Sequence, residues 1–245
     1  MLKAQDFFKL TGYDHAELFR GTEYVWDALA ALASYLEHLL QGKNTVCKAQ
    51  IEGPVSISGP VYIGDGTVVE PGAHIVGPTY IGDECEIRHN AYIRGHVLIG
   101  NGCVVGNSSE LKNAIFLDDA AAPHFAYVGD SILGRHVNLG AGTRLSNLPI
   151  VSEKDEISKK RPTIQIPYEG KFVDTHRTKL GAILGDGVQT GCNSVLNPGT
   201  LVGPGTWIYP NISLAKGVYA AHSIIKLRQQ LETVQKKKVT VSKRR

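Results

Sequence analysis

The sequence predicts an all-β protein, a parallel β-helix built from hexapeptide repeats. Every sixth residue from Ile51 to Leu117 is a branched aliphatic, without exception. The position four residues after each aliphatic is small or β-prone, as in Cys85, Ala91 and Val97. A strict period of six fits neither a helix nor an alternating strand, whereas a β-helix places one aliphatic per short face in a narrow stacked core. The 27 glycines suit a chain that turns a corner every few residues.

The limits of the period divide the chain into three segments. Residues 1–45 are predicted to form an N-terminal helical segment, because residues 23–41 carry an apolar stripe at helical spacing. This helix is expected to cover the open first coil or to pack on a neighbouring subunit. The β-helix is predicted over 46–222, with a charged loop or hairpin arm inserted at 149–179. Residues 223–245 are predicted to form a C-terminal helix followed by a basic tail.

Charge and cysteine usage indicate the compartment and the classes of partner. The net charge of +3 comes from the last ten residues, which hold six lysines and arginines, and the rest of the chain is slightly acidic. A solvated terminus and a weak anionic partner both stay open for this tail, and no nucleic-acid binding is predicted. The four cysteines show no paired spacing, and no signal peptide or long apolar run is present. We therefore expect a cytoplasmic protein with no membrane partner.

Two basic residues occupy the same position in successive coils. Three hexads make one triangular coil, so residues eighteen apart lie on the same face, about 4.8 Å from each other. Arg94 and Lys112 are related in this way. Like charges stacked this closely repel unless an anion lies beside them, and an arginine with a lysine suits phosphate. The alternative is a pair of solvated surface charges.

The period slips between Leu117 and Val128, and His124 lies in this irregular stretch. A histidine at a break in a rigid coil can project into a cleft. There its unperturbed pKa of about 6.5 suits a general base near neutral pH. His124 is therefore a candidate catalytic residue, with a structural histidine as the alternative.

From Arg94 to Asn147 the sequence resembles the acetyltransferase domain of the bacterial bifunctional N-acetylglucosamine-1-phosphate uridyltransferase/glucosamine-1-phosphate acetyltransferase. The shared pattern is an arginine, E-x-K, H-x-x-Y-x-G-D, V-N-[IL]-G-A-G-T and a final asparagine. In this chain it reads Arg94, Glu110-Leu-Lys112, His124-Phe-Ala-Tyr127-Val-Gly129-Asp130, Val137-Asn138-Leu-Gly-Ala141-Gly-Thr143 and Asn147. The spacings agree without a gap across this stretch, which makes the resemblance specific.

The resemblance implies a left-handed helix, a homotrimer and active sites between adjacent subunits. It implies that His124 is the general base, and that Ala141 and Cys192 lie where the family contacts acetyl-coenzyme A. The positions implied to contact the sugar and its phosphate are Arg94, Lys112, Tyr127, Asn138 and Asn147. The chemistry is consistent with these side chains, because an imidazole can take the proton that a sugar ammonium must lose before its nitrogen attacks a thioester. Direct transfer needs no covalent enzyme intermediate.

The chain departs from the family after Asn147. Leu148-Pro149 and the inserted arm stand where the family has Tyr-Asp-Gly and a substrate-contacting lysine. The candidates to replace this lysine are Lys154, Lys171, Arg177 and Lys179. The arm and the sequence after it look closer to C-terminal domains of related sugar-1-phosphate nucleotidylyltransferases. Because the sequence holds no glycine-rich nucleotide loop, a separate nucleotidyltransferase is a candidate partner.

The leading hypothesis is an acyltransferase that N-acetylates an amino-sugar phosphate, such as glucosamine-1-phosphate, from acetyl-coenzyme A. The alternative is a non-catalytic binding or scaffold protein for a sugar phosphate or sugar nucleotide, related to nucleotidyltransferase C-terminal domains. A metalloenzyme of the γ-carbonic anhydrase kind would need an H-x-x-x-x-H pair of zinc ligands. The sequence lacks such a pair, so no metal site is predicted.

Overall fold

The computed structural model describes residues 2–42, 45–156 and 159–235. Two short 3₁₀ helices span Ala4–Asp6 and Ala16–Phe19, and one α-helix, α1, spans Asp27–Leu39. The strands in chain order are β1 (Val46–Cys47), β2 (Gln50–Ile51), β3 (Ser56–Ser58), β4 (Val61–Ile63), β5 (Val68–Val69), β6 (His74–Val76), β7 (Thr79–Ile81), β8 (Glu86–Ile87), β9 (Tyr92–Ile93), β10 (Val97–Ile99), β11 (Val104–Asn107), β12 (Glu110–Lys112), β13 (Ala114–Phe116), β14 (Ala121–His124), β15 (Tyr127–Gly129), β16 (Ile132–Leu133), β17 (Asn138–Leu139), β18 (Arg144–Leu145), β19 (Gln165–Tyr168), β20 (Lys171–Asp174), β21 (Ala182–Leu184), β22 (Gln189–Thr190), β23 (Val195–Leu196), β24 (Thr200–Val202), β25 (Trp207–Ile208), β26 (Ser213–Leu214), β27 (Gly217–Tyr219) and β28 (Ile224–Ile225).

Three parallel sheets form the sides of the solenoid, and we call them faces A, B and C. Face A has the order β1-β4-β7-β10-β13-β16-β21-β24-β27. Face B has the order β2-β5-β8-β11-β14-β17-β22-β25-β28, and face C has the order β3-β6-β9-β12-β15-β18-β23-β26. Each strand pairs in parallel with the corresponding strand of the next coil. The predicted parallel β-helix of hexapeptide repeats is therefore confirmed.

The hexad aliphatics form the core of the solenoid. Ile63, Ile81 and Ile99 are fully buried and stack on one another through the coils. Cys85 and Cys103 are also buried, as expected of small core residues. This inward stack removes one apolar side chain per hexad from water, which is the main stabilising contribution to such a fold.

The coil shortens earlier than the sequence predicts. Ile93 pairs with Leu111, eighteen residues on, whereas Ile99 pairs with Phe116, only seventeen residues on. The corner between β12 and β13 therefore holds one residue fewer than the corner between β9 and β10, directly below it. Leu117 therefore leaves the solenoid core and joins the hydrophobic cluster under the N-terminal segment. The predicted position of the slip, after Leu117, is wrong.

The N-terminal segment lies along face A. Leu98, Ile115 and Ile132 point outward from this face, yet they are fully buried in one cluster with Leu32 and Leu36 of α1. The prediction that the helix covers the first coil or packs on a neighbouring subunit is therefore wrong. The physical reason is a column of outward aliphatics on face A, which would face water without the apolar stripe of α1.

The inserted arm also packs on face A. Its strands β19 and β20 form an antiparallel hairpin in which Ile166 pairs with Val173. Ile164 and Ile166 are buried in the same cluster as the N-terminal segment. The arm is thus fixed to the solenoid at its base, close to Asn147, where it leaves the coil.

The predicted C-terminal helix is absent from the described residues. Ile224 and Ile225 instead form the last strand of face B, paired with Trp207 and Ile208. Residues 226–235 have no regular secondary structure. A helix this short is marginal in water unless its apolar side packs on a surface, and Leu231 here is 90% exposed.

The structure bears on two further expectations for the chain. No helix within the described ranges is long and apolar enough to cross a bilayer. The predicted basic tail, residues 236–245, lies outside the described residues.

His15 connects the N-terminal segment to face A, and it makes the docking of this segment sensitive to pH. Its ring is 6% exposed, lies 2.9 Å from the Tyr35 hydroxyl through Nδ1, and packs edge-on against Tyr80 at 4.7 Å between centroids. Burial lowers its pKa below 6.5. The folded state therefore favours the neutral ring, so this stabilisation is complete above pH 6.5 and is lost as the pH falls through the lower folded pKa.

We expect the free energy of unfolding to decrease as the pH is lowered from 7.5 to about 5, and we expect His15→Gln to flatten this dependence. Urea unfolding of both proteins at several pH values measures it. His38→Gln is the matched control, because His38 is exposed on α1, the helix that carries Tyr35, and should leave the dependence unchanged. A His15→Gln protein with the wild-type pH dependence would contradict the assignment.

Candidate active site

The corner between faces B and C stacks the predicted base with the two predicted coenzyme positions. The backbone N–H of Gly142 donates to the His124 carbonyl at 3.0 Å, and that of Asn193 donates to the Ala141 carbonyl at 2.8 Å. His124, Ala141 and Cys192 therefore follow one another in adjacent coils, about 4.8 Å apart. The side chains of His124 and Cys192 are exposed. We call His124, Ala141 and Cys192 the corner column.

The corner is sharp because each turn passes through a residue with left-handed backbone. Phe125, Gly142 and Asn193 have φ angles of 50°, 75° and 57°. A single left-handed residue turns the chain sharply from one face to the next between two short strands. The residue before it then stands on the edge between two sheets, which explains why His124 faces solvent and not the core.

Face C carries the two predicted phosphate contacts. The Arg94 N–H donates to the Leu111 carbonyl at 2.8 Å, which places Arg94 and Lys112 in adjacent coils as predicted. The Arg94 guanidinium pairs with Glu110 at 2.6 Å and lies 5.7 Å from the ring centroid of Tyr92. The hydrogen bond to Glu110 raises the pKa of Arg94.

Glu110 therefore relieves the repulsion that the sequence predicted between the stacked cations. Lys112 is half-buried on the same face and forms no ion pair with any residue that the structure describes. A partly desolvated ammonium without a partner favours an anion. Lys112 is thus the stronger phosphate candidate of the two, because the positive charge of Arg94 is already balanced by Glu110.

Tyr127 and Asn147 converge beside Lys112. The Tyr127 hydroxyl donates to Asn147 Oδ1 at 3.4 Å. Gly129 pairs with Lys112 of the adjacent strand. Because Gly129 has no side chain, the side chains of Tyr127 and Asn147 can occupy the space beside it. A Cβ at position 129 would lie 2.7 Å from the Tyr127 hydroxyl and 2.8 Å from Asn147 Nδ2. Burial raises the pKa of Tyr127, which keeps its hydroxyl protonated as a donor.

A buried carboxylate lies behind these two side chains. Asp130 is 4% exposed. Its Oδ2 accepts from Asn147 Nδ2 at 2.6 Å, and its Oδ1 accepts from Asn113 Nδ2 at 2.7 Å. Arg177 of the arm places Nη2 3.6 Å from Asp130 Oδ1. The sequence pattern contained Asp130 without assigning it a role.

The four basic candidates in the arm lie in different places. Arg177 and Lys179 line a cleft of about 350 Å³ together with Asp130. Lys171 begins the second hairpin strand, and Lys154 lines a separate cleft formed within the arm. The fold therefore brings Arg177 and Lys179, but not the other two, to the predicted substrate face.

Asn138 stands apart from the other predicted contact residues. It is exposed on face B, where it pairs with Ala121 below and Gln189 above. Tyr127 and Lys112 lie around the corner on face C. Within one chain, the structure does not bring Asn138 together with these residues.

An aromatic and basic group that the sequence analysis missed lies beyond the corner column. Trp207 and Tyr209 are 56% and 43% exposed, and the Lys226 ammonium lies 5.2 Å from the Tyr209 ring centroid. The Asn211 N–H donates to the Cys192 carbonyl, so the group begins one coil above Cys192. The available signal was the alternation Trp207-Ile-Tyr209, which points two aromatic rings outward from one strand.

These features define a hexapeptide-repeat β-helix with a polar site at one corner and the face beside it. A family model described as the GMPPB C-terminal domain matches residues 75–167. The bifunctional protein GlmU of Methanococcus maripaludis S2 is 36% identical over 210 residues, which cover 86% of this chain and 48% of that protein. The bifunctional sugar-1-phosphate nucleotidylyltransferase/acetyltransferase of Sulfurisphaera tokodaii is 32% identical over 193 residues, covering 79% and 45%. The resemblance to this group of proteins is thereby confirmed.

The extent of these matches limits what they imply. The chain spans about half the length of the curated relatives it matches. Among solved structures, the UDP-N-acetylglucosamine acyltransferase of Francisella novicida has a TM-score of 0.37 and 14% identity, over 74% of this chain and 60% of that one. A structural similarity at this level adds nothing to the assignment of function.

Proposed function

We propose that this chain is an acyltransferase that moves an acetyl group from acetyl-coenzyme A to the nitrogen of an amino-sugar 1-phosphate. The observation that carries the proposal is the position of His124. It stands on the corner, with the small residues Ala141 and Cys192 above it and the cationic face C beside it. The names of the relatives, which include an acetyltransferase activity, support the same reaction.

The sugar phosphate is proposed to lie on face C. Lys112 would bind the phosphate because its ammonium has no acidic partner within the described ranges, and Arg94, whose charge Glu110 balances, would offer its remaining N–H donors from the coil below. Tyr127 and Asn147 would hydrogen-bond the sugar hydroxyls. This arrangement directs the amino group of the sugar toward the corner where His124 stands.

The proposed reaction is a direct transfer. His124 takes a proton from the sugar ammonium, and the free nitrogen attacks the carbonyl carbon of the thioester. The nitrogen of the tetrahedral intermediate then loses a second proton to solvent, the carbon–sulfur bond breaks, and the acetyl group stays on nitrogen. The sulfur of coenzyme A leaves and takes up the proton held by His124, which returns the histidine to its neutral form, so no group on the protein is consumed.

Acetyl-coenzyme A is proposed to lie along the corner column. Ala141 and Cys192 have small side chains that leave room for the pantetheine arm. The group of Trp207, Tyr209 and Lys226 lies three to four coils above His124, about 14–19 Å away at the spacing of parallel strands. Aromatic rings and a cation suit an adenine and its phosphates.

A homotrimer is proposed from the distribution of covered faces. The N-terminal segment and the arm cover face A, so faces B and C are left for self-association. A site formed between face C of one copy and face B of the next would bring Asn138 to the substrate. Exposed Tyr92 and Phe125, on and beside face C, support contact with another copy.

Thiol release from acetyl-coenzyme A tests the proposal. We expect release with glucosamine-1-phosphate, weak release with unphosphorylated glucosamine, and none with N-acetylglucosamine-1-phosphate, whose nitrogen is already blocked. No release with any amino-sugar phosphate would contradict the proposal. If calorimetry then showed that the protein binds the sugar phosphate but not coenzyme A, the result would favour a non-catalytic binding protein.

A further inference from the structure

The inserted arm contacts the predicted substrate face through one buried ion pair. We propose that Arg177 is a positioning residue. It holds Asp130 in place, and Asp130 in turn orients Asn147 and Tyr127 to bind the sugar phosphate. The proposal rests on the proposed function, because it assigns the arm a role in substrate binding at that same site. It replaces the simpler expectation that an arm cation contacts the phosphate directly.

The first step is the charge balance of Asp130. The carboxylate is 4% exposed and receives two amide hydrogen bonds, but amides do not neutralise a buried negative charge. The Arg177 side chain is 19% exposed and supplies the compensating positive charge at 3.6 Å. Removing one partner of a buried pair leaves an uncompensated charge, which draws the carboxylate toward water. This movement alters the hydrogen bonds that the Asp130 carboxylate can accept.

The second step is the orientation of Asn147. Its Nδ2 donates to Asp130 Oδ2 at 2.6 Å, which turns its Oδ1 toward the Tyr127 hydroxyl at 3.4 Å. A displaced Asp130 would no longer select this orientation of the amide. Asn147 is 9% exposed, so the order of its side chain depends on these neighbours. Tyr127 would then lose its acceptor and move on face C.

The third step is the attachment of Arg177 itself. The Ile164 N–H donates to the Arg177 carbonyl at 2.8 Å, and Arg177 Nε donates to the Lys179 carbonyl at 3.2 Å. Ile164 is buried in the face A cluster. Arg177 is therefore held by the base of the hairpin, and the packing of the arm on face A fixes where its guanidinium lies.

Steady-state kinetics of Arg177→Met test the proposal. We expect the KM for glucosamine-1-phosphate to rise about tenfold, as for loss of one ordered hydrogen-bonding group, with kcat and the KM for acetyl-coenzyme A within about twofold. Arg177→Lys should recover part of the loss. Tyr127→Phe should raise the KM in the wild type but add little in Arg177→Met, because both changes disturb the same relay. Lys171→Met is the control and should leave the KM unchanged, since Lys171 is an exposed cation of the same arm that the fold does not bring to the substrate face.

A crystal structure of Arg177→Met separates this proposal from the proposed function. Asn147 is expected to lose its bond to Asp130 or its contact with Tyr127, whether or not the protein is an enzyme. Both contacts intact in Arg177→Met would overturn the relay. An unchanged KM in an active enzyme, or full additivity with Tyr127→Phe, would overturn it as well. An inactive wild type with a rearranged variant would overturn the proposed function and leave the positioning role supported.

Discussion

His124→Ala is expected to lower kcat for acetyl transfer by about 10²- to 10⁴-fold, the usual contribution of a positioned general base. The substrate amine is protonated near neutral pH, and without the imidazole its proton must leave to water. The KM for the sugar phosphate should change little, because Lys112 and Tyr127 remain in place on face C. Steady-state thiol release measures both parameters.

His89→Ala is the matched control for this change. His89 is exposed at the same corner, two coils below His124, as the chain of corner hydrogen bonds through Asn107 shows. It lies away from Ala141 and Cys192, so activity should be unchanged. A wild-type kcat in His124→Ala, or equal losses in both variants, would remove His124 from the mechanism.

Lys112→Met is expected to lower kcat/KM for glucosamine-1-phosphate by about 10- to 100-fold, the range for losing a hydrogen bond to a charged group. Most of the loss should lie in KM, because the phosphate is remote from the reacting nitrogen. The weak turnover of unphosphorylated glucosamine should be unaffected. Comparing the two sugars in both proteins isolates the phosphate contribution.

Two further variants test whether the phosphate effect is specific to Lys112. Lys112→Arg should retain much of the affinity, because it keeps a cation at the same place. Arg88→Met, which removes a half-buried cation paired with Glu86 on face B, should have no effect. Equal losses for both sugars in Lys112→Met would indicate a general disturbance of face C and would contradict a phosphate site.

The period of six was sufficient to predict the faces of the solenoid because each inward aliphatic makes the same contact in every coil. It also predicted the stacking of Arg94 on Lys112, since both lie before the register changes. It failed at Leu117, because the loss of one corner residue shifts every later position without breaking the run of apolar side chains. Phe116 and Leu117 are both buried, so the sequence does not show which of them faces the core.

The ends of the chain were harder to predict, because an amphipathic pattern does not say what covers its apolar side. The stripe on α1 required a partner, and the matching column on face A was visible in the sequence only in part. The period of six places Leu98 outward, but it places Ile115 at an inward position, four residues after Leu111. The pair Ile224-Ile225 fits the start of a helix as well as a last strand. In the structure these two isoleucines form a strand, because they pair with Trp207 and Ile208.

The candidate site was predicted in part. The resemblance named His124, Ala141 and Cys192 separately, and only the hydrogen bonds between successive coils bring them to one corner. The choice of Arg177 among four arm cations depends on how a hairpin folds back on face A, which no local pattern specifies. The convergence of Tyr127 and Asn147 beside Gly129 likewise depends on how two adjacent coils stack, which no local pattern specifies.

The central claim is that an acetyl group is transferred to a sugar nitrogen, and identification of the product tests it most directly. Wild-type protein would be incubated with acetyl-coenzyme A and glucosamine-1-phosphate, with His124→Ala as the blank, and the sugar analysed by mass spectrometry and proton NMR. We predict N-acetylglucosamine-1-phosphate in an amount equal to the free coenzyme A. Release of coenzyme A without an acetylated sugar, or an acetyl group on a sugar oxygen, would contradict the account.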